Sequence, residues 1–108
     1  MRFPEFIEKL PMAELPAGMQ AWLLQAPRHQ VTFLRTETDA VVAEHTHAAQ
    51  LEIPLQGSAE VNIGGEIKTY GPGQSFFVAA GVPHSAKVKG LYAAVIIFDS
   101  PNRYALKT

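Results

Sequence analysis

The sequence predicts an all-β protein, folded as a sandwich or a small antiparallel barrel. From about residue 21 onward, short apolar or alternating runs are cut by Gly, Pro and Asn, which is the pattern of successive half-buried strands. Strands are expected over residues 21–25, 30–36, 40–45, 50–56, 58–63, 66–70, 75–79, 84–88 and 91–98. Eight or nine short strands in a chain of 108 residues are typical of these two architectures.

A glycine pair and two prolines mark the boundaries of elements. Gly64 and Gly65 tolerate positive φ and therefore suit the tight turn of a hairpin between two neighbouring strands. Near the N-terminus, Pro4 could open a short helical turn that Pro11 would close. No repeat, low-complexity tract or linker interrupts the chain, so we expect a single domain over residues 1–108.

Composition excludes several classes of partner. Nine basic and ten acidic residues give a net charge of -1, and no stretch clusters Lys or Arg, so nucleic acid is not an expected partner. The N-terminal segment breaks its apolar residues with Pro and Glu; we therefore expect no signal peptide, no membrane partner and a cytoplasmic location. Because the chain has no cysteine, any metal must be held by nitrogen and oxygen.

The stretch HTHAAQLE, residues 45–52, is a candidate metal site. His45 and His47 project to the same side if the chain is extended there, and two imidazoles on one face can hold a divalent ion. Taken alone, the pair also suits two solvated histidines at a strand end. A second segment, GPGQSFFVAAGVPHSA, places His84 after a Gly-Val-Pro turn, at the start of another strand.

Together the two segments resemble the two motifs of the cupin superfamily, over about residues 39–57 and 73–88. The resemblance covers roughly residues 30–100 and implies a jelly-roll barrel. Asp39, Ala79 and Val88 depart from the motifs, which have Gly, Pro and Asn there, but none of them is a ligand position. The matching positions are His45, His47, Gly57, Gly73, Gly81 and His84.

The resemblance implies that the three motif histidines bind a metal in the barrel mouth, with a fourth ligand from residues 50–52. Counting back from Gly57 gives Gln50, whereas counting forward from His47 gives Glu52, and both would share one face of a regular strand. We favour Gln50, because register to Gly57 is better fixed than the loop after His47. Glu52 would then lie beside the metal or face the substrate. The expected ligand set is His45, His47, Gln50 and His84.

The ligand set constrains the chemistry. With an amide as the fourth ligand, the divalent ion and its ligands carry a charge of about +2, whereas a carboxylate ligand would lower it to about +1. The higher charge favours an anionic, oxygenated substrate. Imidazole ligands accept Fe, Mn, Co, Ni, Cu or Zn, so one divalent transition metal of unspecified identity is expected. Glu52, Tyr70 and Tyr92 are the candidates for proton transfer. The pocket wall is expected from Val61, Ile63, Phe76 and Val78, or from Phe77 and Tyr70.

Three functions remain open. The chain is similar to small cupins with His, His, Gln and His ligands that open unsaturated uronates to keto acids, and its tail FDSPNRY resembles theirs, although Ile96 stands where an acidic residue is expected. This implies a metal-dependent enzyme that isomerises or enolises a small anionic molecule. An Fe-dependent dioxygenase and a non-catalytic binding or sensing cupin are the alternatives.

Two further expectations concern the ends of the chain. Arg103 would bind a substrate carboxylate if the tail folds back over the barrel mouth, and is otherwise an exposed arginine; His29 lies outside both motifs and is expected at the surface. The resemblance also implies a homodimer, in which residues 21–25 could pair across two subunits as edge strands.

Overall fold

A computed structural model describes residues 1–107 and shows nine strands in two antiparallel sheets that enclose one core. The five-stranded sheet has the order β1-β2-β9-β4-β7, and the four-stranded sheet has the order β3-β8-β5-β6. Within the described residues the chain is all-β, as predicted, in a jelly-roll arrangement. The strands are β1 (Met19–Gln25), β2 (Gln30–Thr36), β3 (Ala40–His45), β4 (Gln50–Gln56), β5 (Ala59–Ile63), β6 (Glu66–Tyr70), β7 (Phe76–Val78), β8 (His84–Val88) and β9 (Tyr92–Phe98).

Two glycine turns confirm local expectations. Gly64 and Gly65 both have positive φ, at 58° and 94°, and they join β5 to β6 in a hairpin with Ile63 opposite Glu66. Gly57, after β4, has a φ of 72°, and a Cβ there would lie 2.2 Å from the carbonyl oxygen of Leu91. This close approach explains why only glycine fits where β4 leaves the sheet.

The N-terminal segment after Pro4 forms hydrogen-bonded turns and no helix. The backbone N–H groups of Ile7 and Glu8 both donate to the carbonyl of Pro4. Phe3 and Ile7 pack on the outer face of the five-stranded sheet against Trp22. No helix among the described residues is long and apolar enough to cross a membrane.

The outer edge of β1 is occupied by the protein's own chain. The amide of Ala13 donates to Ala21, the amide of Leu23 donates to Pro11, and Met12 forms a bridge with Trp22. The expectation that residues 21–25 pair across two subunits as an edge strand is therefore wrong, since these backbone groups already have partners.

The C-terminal tail folds back along the open end of the barrel. The buried side-chain amide of Gln30 makes two hydrogen bonds to the backbone of Tyr104, as a neighbouring strand would. Its Nε2 donates to the backbone carbonyl at 3.2 Å, and its Oε1 accepts from the backbone N–H at 2.9 Å. Gln25 donates to the carbonyl of Pro101, and Leu106 bridges to Ala13. These bonds hold residues 101–106 beside the barrel mouth.

Candidate metal centre

Three histidines meet at one end of the cavity between the sheets. His45 ends β3 and lies opposite His84, the first residue of β8, while His47 follows in the loop to β4. One potential ligand atom from each histidine lies within 4.8 Å of the others. The amide of Gly81, in the turn before His84, donates to the carbonyl of His47 at 3.0 Å and so ties the two motifs together. The expected histidine cluster is therefore present.

The backbone fixes the tautomer of each ring. Nδ1 of His45, His47 and His84 lies 2.8, 2.6 and 2.9 Å from the carbonyl oxygens of residues 43, 48 and 82. Because a carbonyl oxygen only accepts, each Nδ1 carries the proton and each Nε2 keeps a free lone pair. All three rings are thus prepared to ligate through Nε2.

The spacing of the rings fits one shared ion. Nε2 of His47 lies 3.1 Å from Nε2 of His84, although both nitrogens present lone pairs. Two nitrogens bound to one metal at about 2.0–2.1 Å, at angles near 90–109°, lie roughly 2.8–3.4 Å apart. A cation between the lone pairs would relieve their repulsion. The residues present therefore suit a divalent transition metal.

The electrostatic surroundings keep two of these rings neutral. Burial lowers the pKa of His47 and of His84, and the nearby charge of Arg103 lowers both further, against the opposite effect of the carbonyl bonds. Neutral imidazole is the form that binds metal.

Gln50 and Glu52 both point inward from β4, as a regular strand requires. Gln50 Nε2 donates to Glu52 Oε1 at 3.2 Å, which leaves the amide oxygen of Gln50 as its potential ligand atom. Among residues 1–107, no carboxylate joins the three histidines within ligand distance of one another. Glu52 therefore stands apart from the histidine cluster.

A buried, hydrogen-bonded pair of side chains, Glu52 and Tyr92, also lines the cavity. Tyr92, on β9, donates its hydroxyl to Glu52 Oε2 at 2.5 Å. Burial raises the pKa of Glu52 to about 7, although the hydrogen bonds from Tyr92 and Gln50 act in the opposite direction. Burial, and then the adjacent Glu52, also raises the pKa of Tyr92 far above its usual range, so its hydroxyl keeps the proton that it donates.

The cavity that holds these groups has a volume of about 80 Å³, which leaves room for a small ligand and is below the range of about 300–1,000 Å³ typical of sites for drug-sized molecules. Val61 and Phe76 line it as predicted. The prediction was wrong for Val78, which is buried in the core, and for Ile63, which packs against that core, because neither lines the cavity. The alternative wall residues were wrong: Phe77 faces outward with 61% exposure, and Tyr70 stacks on Phe76 outside the cavity.

Arg103 is half-buried and lines the mouth of the cavity. The alternative expectation, an exposed arginine, is therefore wrong. Its guanidinium stacks over the rings of Tyr104 at 4.5 Å and Phe98 at 5.7 Å. Its Nε is buried and has no hydrogen-bond partner among the described residues. A donor of fixed positive charge thus remains available beside the histidines.

Sequence reasoning missed two residues that shape this mouth, Gln30 and Tyr104. Gln30 is 1% exposed and holds the tail, and Tyr104 packs edge-on against Phe98 at 5.6 Å. A polar side chain at an inward position of an apolar strand was the available signal for Gln30. His29 is exposed and pairs with Asp99 at 3.2 Å, which agrees with its expected surface position.

Solved structures resemble this fold over most of its length. An RmlC-like cupin from Shewanella frigidimarina NCIMB 400 is 26% identical, with a TM-score of 0.77 over 89% of this chain and 87% of that one. KdgF from a Halomonas species is 24% identical, with a TM-score of 0.75 over 89% of this chain and 90% of that one.

Oxalate decarboxylase of Bacillus subtilis, a protein with Mn(II) centres, is 22% identical, with a TM-score of 0.75. The match covers 89% of this chain but only 29% of the decarboxylase chain. No curated protein matches the chain. The family model described as Cupin_2, cupin domain, matches residues 32–98, which is more than half of the sequence and includes all three clustered histidines. The chain therefore belongs to the Cupin_2 family.

Proposed function

We propose that this protein is a metal-dependent enzyme that isomerises or enolises a small anionic, oxygenated molecule. The observation that carries the proposal is the buried Glu52–Tyr92 pair in a cavity that is also lined by His45 and His84, two members of the three-histidine cluster. A plain binding barrel needs neither a buried carboxyl nor a partner that orients it, because desolvating a carboxyl costs stability.

The proposed ligands are His45, His47 and His84 through Nε2 and Gln50 through its amide oxygen. The bond from Gln50 Nε2 to Glu52 supports this role, since it orients the amide and leaves the oxygen for the metal. A bound divalent ion would act as a Lewis acid toward a carbonyl or carboxylate oxygen. Three neutral imidazoles and an amide leave the charge of the ion uncompensated, so the site prefers an anion.

Glu52 is the proposed catalytic residue that moves the proton. In an enolisation it takes a proton from the carbon beside a carbonyl and returns a proton to the oxygen or to the neighbouring carbon. Tyr92 holds the carboxyl through Oε2 and thereby directs its other oxygen, which is also bonded to Gln50, toward the ligand side. Both residues are proposed as the acid and base machinery of the site.

Arg103 supports an anionic substrate. Its guanidinium lies at the mouth, Nε has no hydrogen-bond partner within residues 1–107, and stacking on the rings of Phe98 and Tyr104 holds the group in place. A carboxylate would satisfy that donor with a charge-assisted hydrogen bond. The apolar wall around Val61 and Phe76 limits the remainder of the molecule to a compact, weakly polar body.

Solvent deuterium exchange tests this proposal without a known substrate. Protein loaded in turn with Mn, Fe, Co, Ni and Zn is incubated in D2O with small keto acids and sugar acids, and C–H exchange is followed by NMR. We expect exchange with wild type and a loss of about 10²-fold or more in Glu52→Gln. Glu60→Gln, a substitution at an exposed residue of β5, is the matched control and should retain exchange.

The same experiment separates the alternatives. Oxygen consumption with Fe-loaded protein and no deuterium exchange would favour a dioxygenase. Saturable binding of these acids with no exchange and no oxygen consumption would favour a non-catalytic binding cupin. Equal exchange in wild type and Glu52→Gln would contradict the proposed role of Glu52.

A further inference from the structure

The cavity continues past the histidines toward the opposite end of the barrel. His45 and His84 face each other in one row of the four-stranded sheet, and the next two inward positions of β8 are Ala86 and Val88. At about 3.3 Å per residue, these two positions lie roughly 7 and 13 Å beyond His84 along the strand. Both residues line the same cavity as the two histidines, so the cavity has a histidine end and a far end.

The far end is apolar. Its wall on the four-stranded sheet consists of two inward rows of aliphatic side chains, which we call the apolar end: Val42, Ala86 and Val61, and then Ala40, Val88 and Ala59. Thr36 lines the cavity from the facing sheet, but its hydroxyl donates to the carbonyl of Gly90. The hydroxyl of Tyr92 donates to Glu52. Within residues 1–107, neither of these hydroxyls has a proton left for a ligand.

The size of the cavity limits the ligand. A volume of about 80 Å³, at about 10–15 Å³ for each water-sized position, holds roughly five to eight non-hydrogen atoms. A 2-oxo acid of about five carbons has about eight such atoms, whereas a hexuronate has about thirteen. A hexuronate would also bring hydroxyl groups to the apolar end, where they would be buried without partners. Size and polarity therefore both disfavour a sugar acid.

The histidine end suits a carboxylate with an oxygen function beside it. The Nε of Arg103 is buried and has no hydrogen-bond partner within residues 1–107, and a carboxylate would satisfy it with a charge-assisted bond. An oxo group next to the carboxylate makes the neighbouring C–H acidic, which a general base such as Glu52 requires. The two ends of the cavity thus call for different halves of one small molecule.

We propose that the substrate is a short-chain 2-oxo acid whose alkyl chain occupies the apolar end and whose carboxylate lies beside Arg103. This inference rests on the proposed function and narrows its substrate class. Glu52 takes the proton from carbon 3, the first carbon of the chain, and the electron pair of that C–H bond forms the enolate, with the negative charge on the oxo oxygen. Return of a proton to carbon 3 restores the 2-oxo acid.

Isothermal titration of Mn-loaded protein with a homologous series tests the inference. The series runs from pyruvate to 2-oxooctanoate, and galacturonate is the sugar acid for comparison. We expect the dissociation constant to fall about fourfold for each added methylene up to about five carbons, and to stop falling beyond that length. Galacturonate should bind at least about 10-fold more weakly than the best 2-oxo acid, because its hydroxyl groups find no partners.

Two substitutions at the apolar end sharpen the test. Ala86→Leu fills the space for the chain, and should weaken binding of 2-oxopentanoate by about 10-fold or more while changing that of pyruvate little. Val42→Ala enlarges the space and should move the preferred chain length up by about one carbon, a gain that a misfolded protein cannot show. Lys87→Leu, at the exposed position next to Ala86 on β8, is the matched control and should bind as wild type does.

Deuterium exchange on the same samples separates this inference from the proposed function. Binding that depends on chain length, without C–H exchange, would contradict the role of Glu52 and still support the apolar end as the site of the chain. Three results would overturn the inference: no binding of any 2-oxo acid, equal binding of all chain lengths, and galacturonate binding as tight as that of the best 2-oxo acid. An equal loss of pyruvate and 2-oxopentanoate binding in Ala86→Leu, with no change of preference in Val42→Ala, would also overturn it.

Discussion

The two sides of the cavity are held in place by different kinds of bond. On the side of the four-stranded sheet, each histidine is oriented by a carbonyl one or two residues away in the chain. On the side of the five-stranded sheet, Glu52 is oriented by Tyr92, 40 residues away. Local backbone geometry therefore orients the three histidines, whereas the Glu52–Tyr92 hydrogen bond exists only once β4 and β9 have paired.

Substitutions on the two sides should therefore differ in how they affect metal binding and stability. Loss of a histidine should remove a proposed ligand and leave the sheets intact, because His45 and His47 are half-buried and the buried His84 faces the cavity at the start of β8. Loss of Tyr92 or Glu52 changes a fully buried contact, so stability responds together with chemistry. Predictions for each side follow, beginning with the largest expected effect.

His84→Ala should abolish tight metal binding and leave the fold intact. Even residues that only support a ligand change metal affinity by about 10–100-fold, so the loss of a ligand should exceed that range. Isothermal titration with Mn or Zn on chelator-treated protein measures the affinity. His29→Ala, outside the cluster and exposed, is the control and should bind as wild type does. Unchanged affinity in His84→Ala would break the distinction between the two sides.

Tyr92→Phe should destabilise the protein by about 1–3 kcal/mol, because the buried carboxyl of Glu52 loses the hydrogen bond that the Tyr92 hydroxyl donates to it. Tyr70→Phe alters a half-buried ring that stacks on Phe76 and should change stability by about 0.5 kcal/mol or less. Urea unfolding of both variants gives the free energies. If the two substitutions cost the same, the Glu52–Tyr92 bond contributes nothing specific to the fold.

Gln30→Ala should release the C-terminal tail. It leaves the amide and carbonyl of Tyr104 without partners, at a cost of about 1–3 kcal/mol. Glu60→Ala, at an exposed position of β5 away from the tail, is the control and should cost about 0.5 kcal/mol or less. Hydrogen exchange over residues 101–106 should accelerate in Gln30→Ala; protection equal to that of wild type would show that other contacts hold the tail.

Glu8→Gln should produce the smallest effect, confined to acidic pH. Burial alone would raise the pKa of Glu8, but ion pairs with Arg2 and Arg35 and the bond from the amide of Phe3 outweigh it and lower the pKa below 4.5. A lowered pKa in the folded state gives stability above the unfolded pKa that is lost as pH falls through the folded value. The melting temperature of Glu8→Gln should therefore respond less to acid than that of wild type; parallel curves would contradict the assignment.

The same contrast explains what the sequence could predict. The nine strands follow from period-two patterning, which is a local property, whereas the clustering of His84 with His45 and His47 was implied by the resemblance to the cupin motifs. Glu52 and Tyr92 were predicted only as separate candidates beside Tyr70, because no spacing in the sequence shows that β4 and β9 become neighbours. Sequence analysis missed the hydrogen bonds from Gln30 to the tail and the pairing of residues 11–13 with the edge of β1 for the same reason. Both depend on chain termini, which carry no periodicity.

Metal content by elemental mass spectrometry on wild type, Gln50→Ala and Glu52→Ala tests the central claim most directly. One divalent metal per chain in wild type and in Glu52→Ala, with a marked loss in Gln50→Ala, is the predicted result. Loss in Glu52→Ala with retention in Gln50→Ala would make the carboxylate the fourth ligand. A wild type that takes up no metal after incubation with Fe, Mn, Ni or Zn would contradict the metal centre itself.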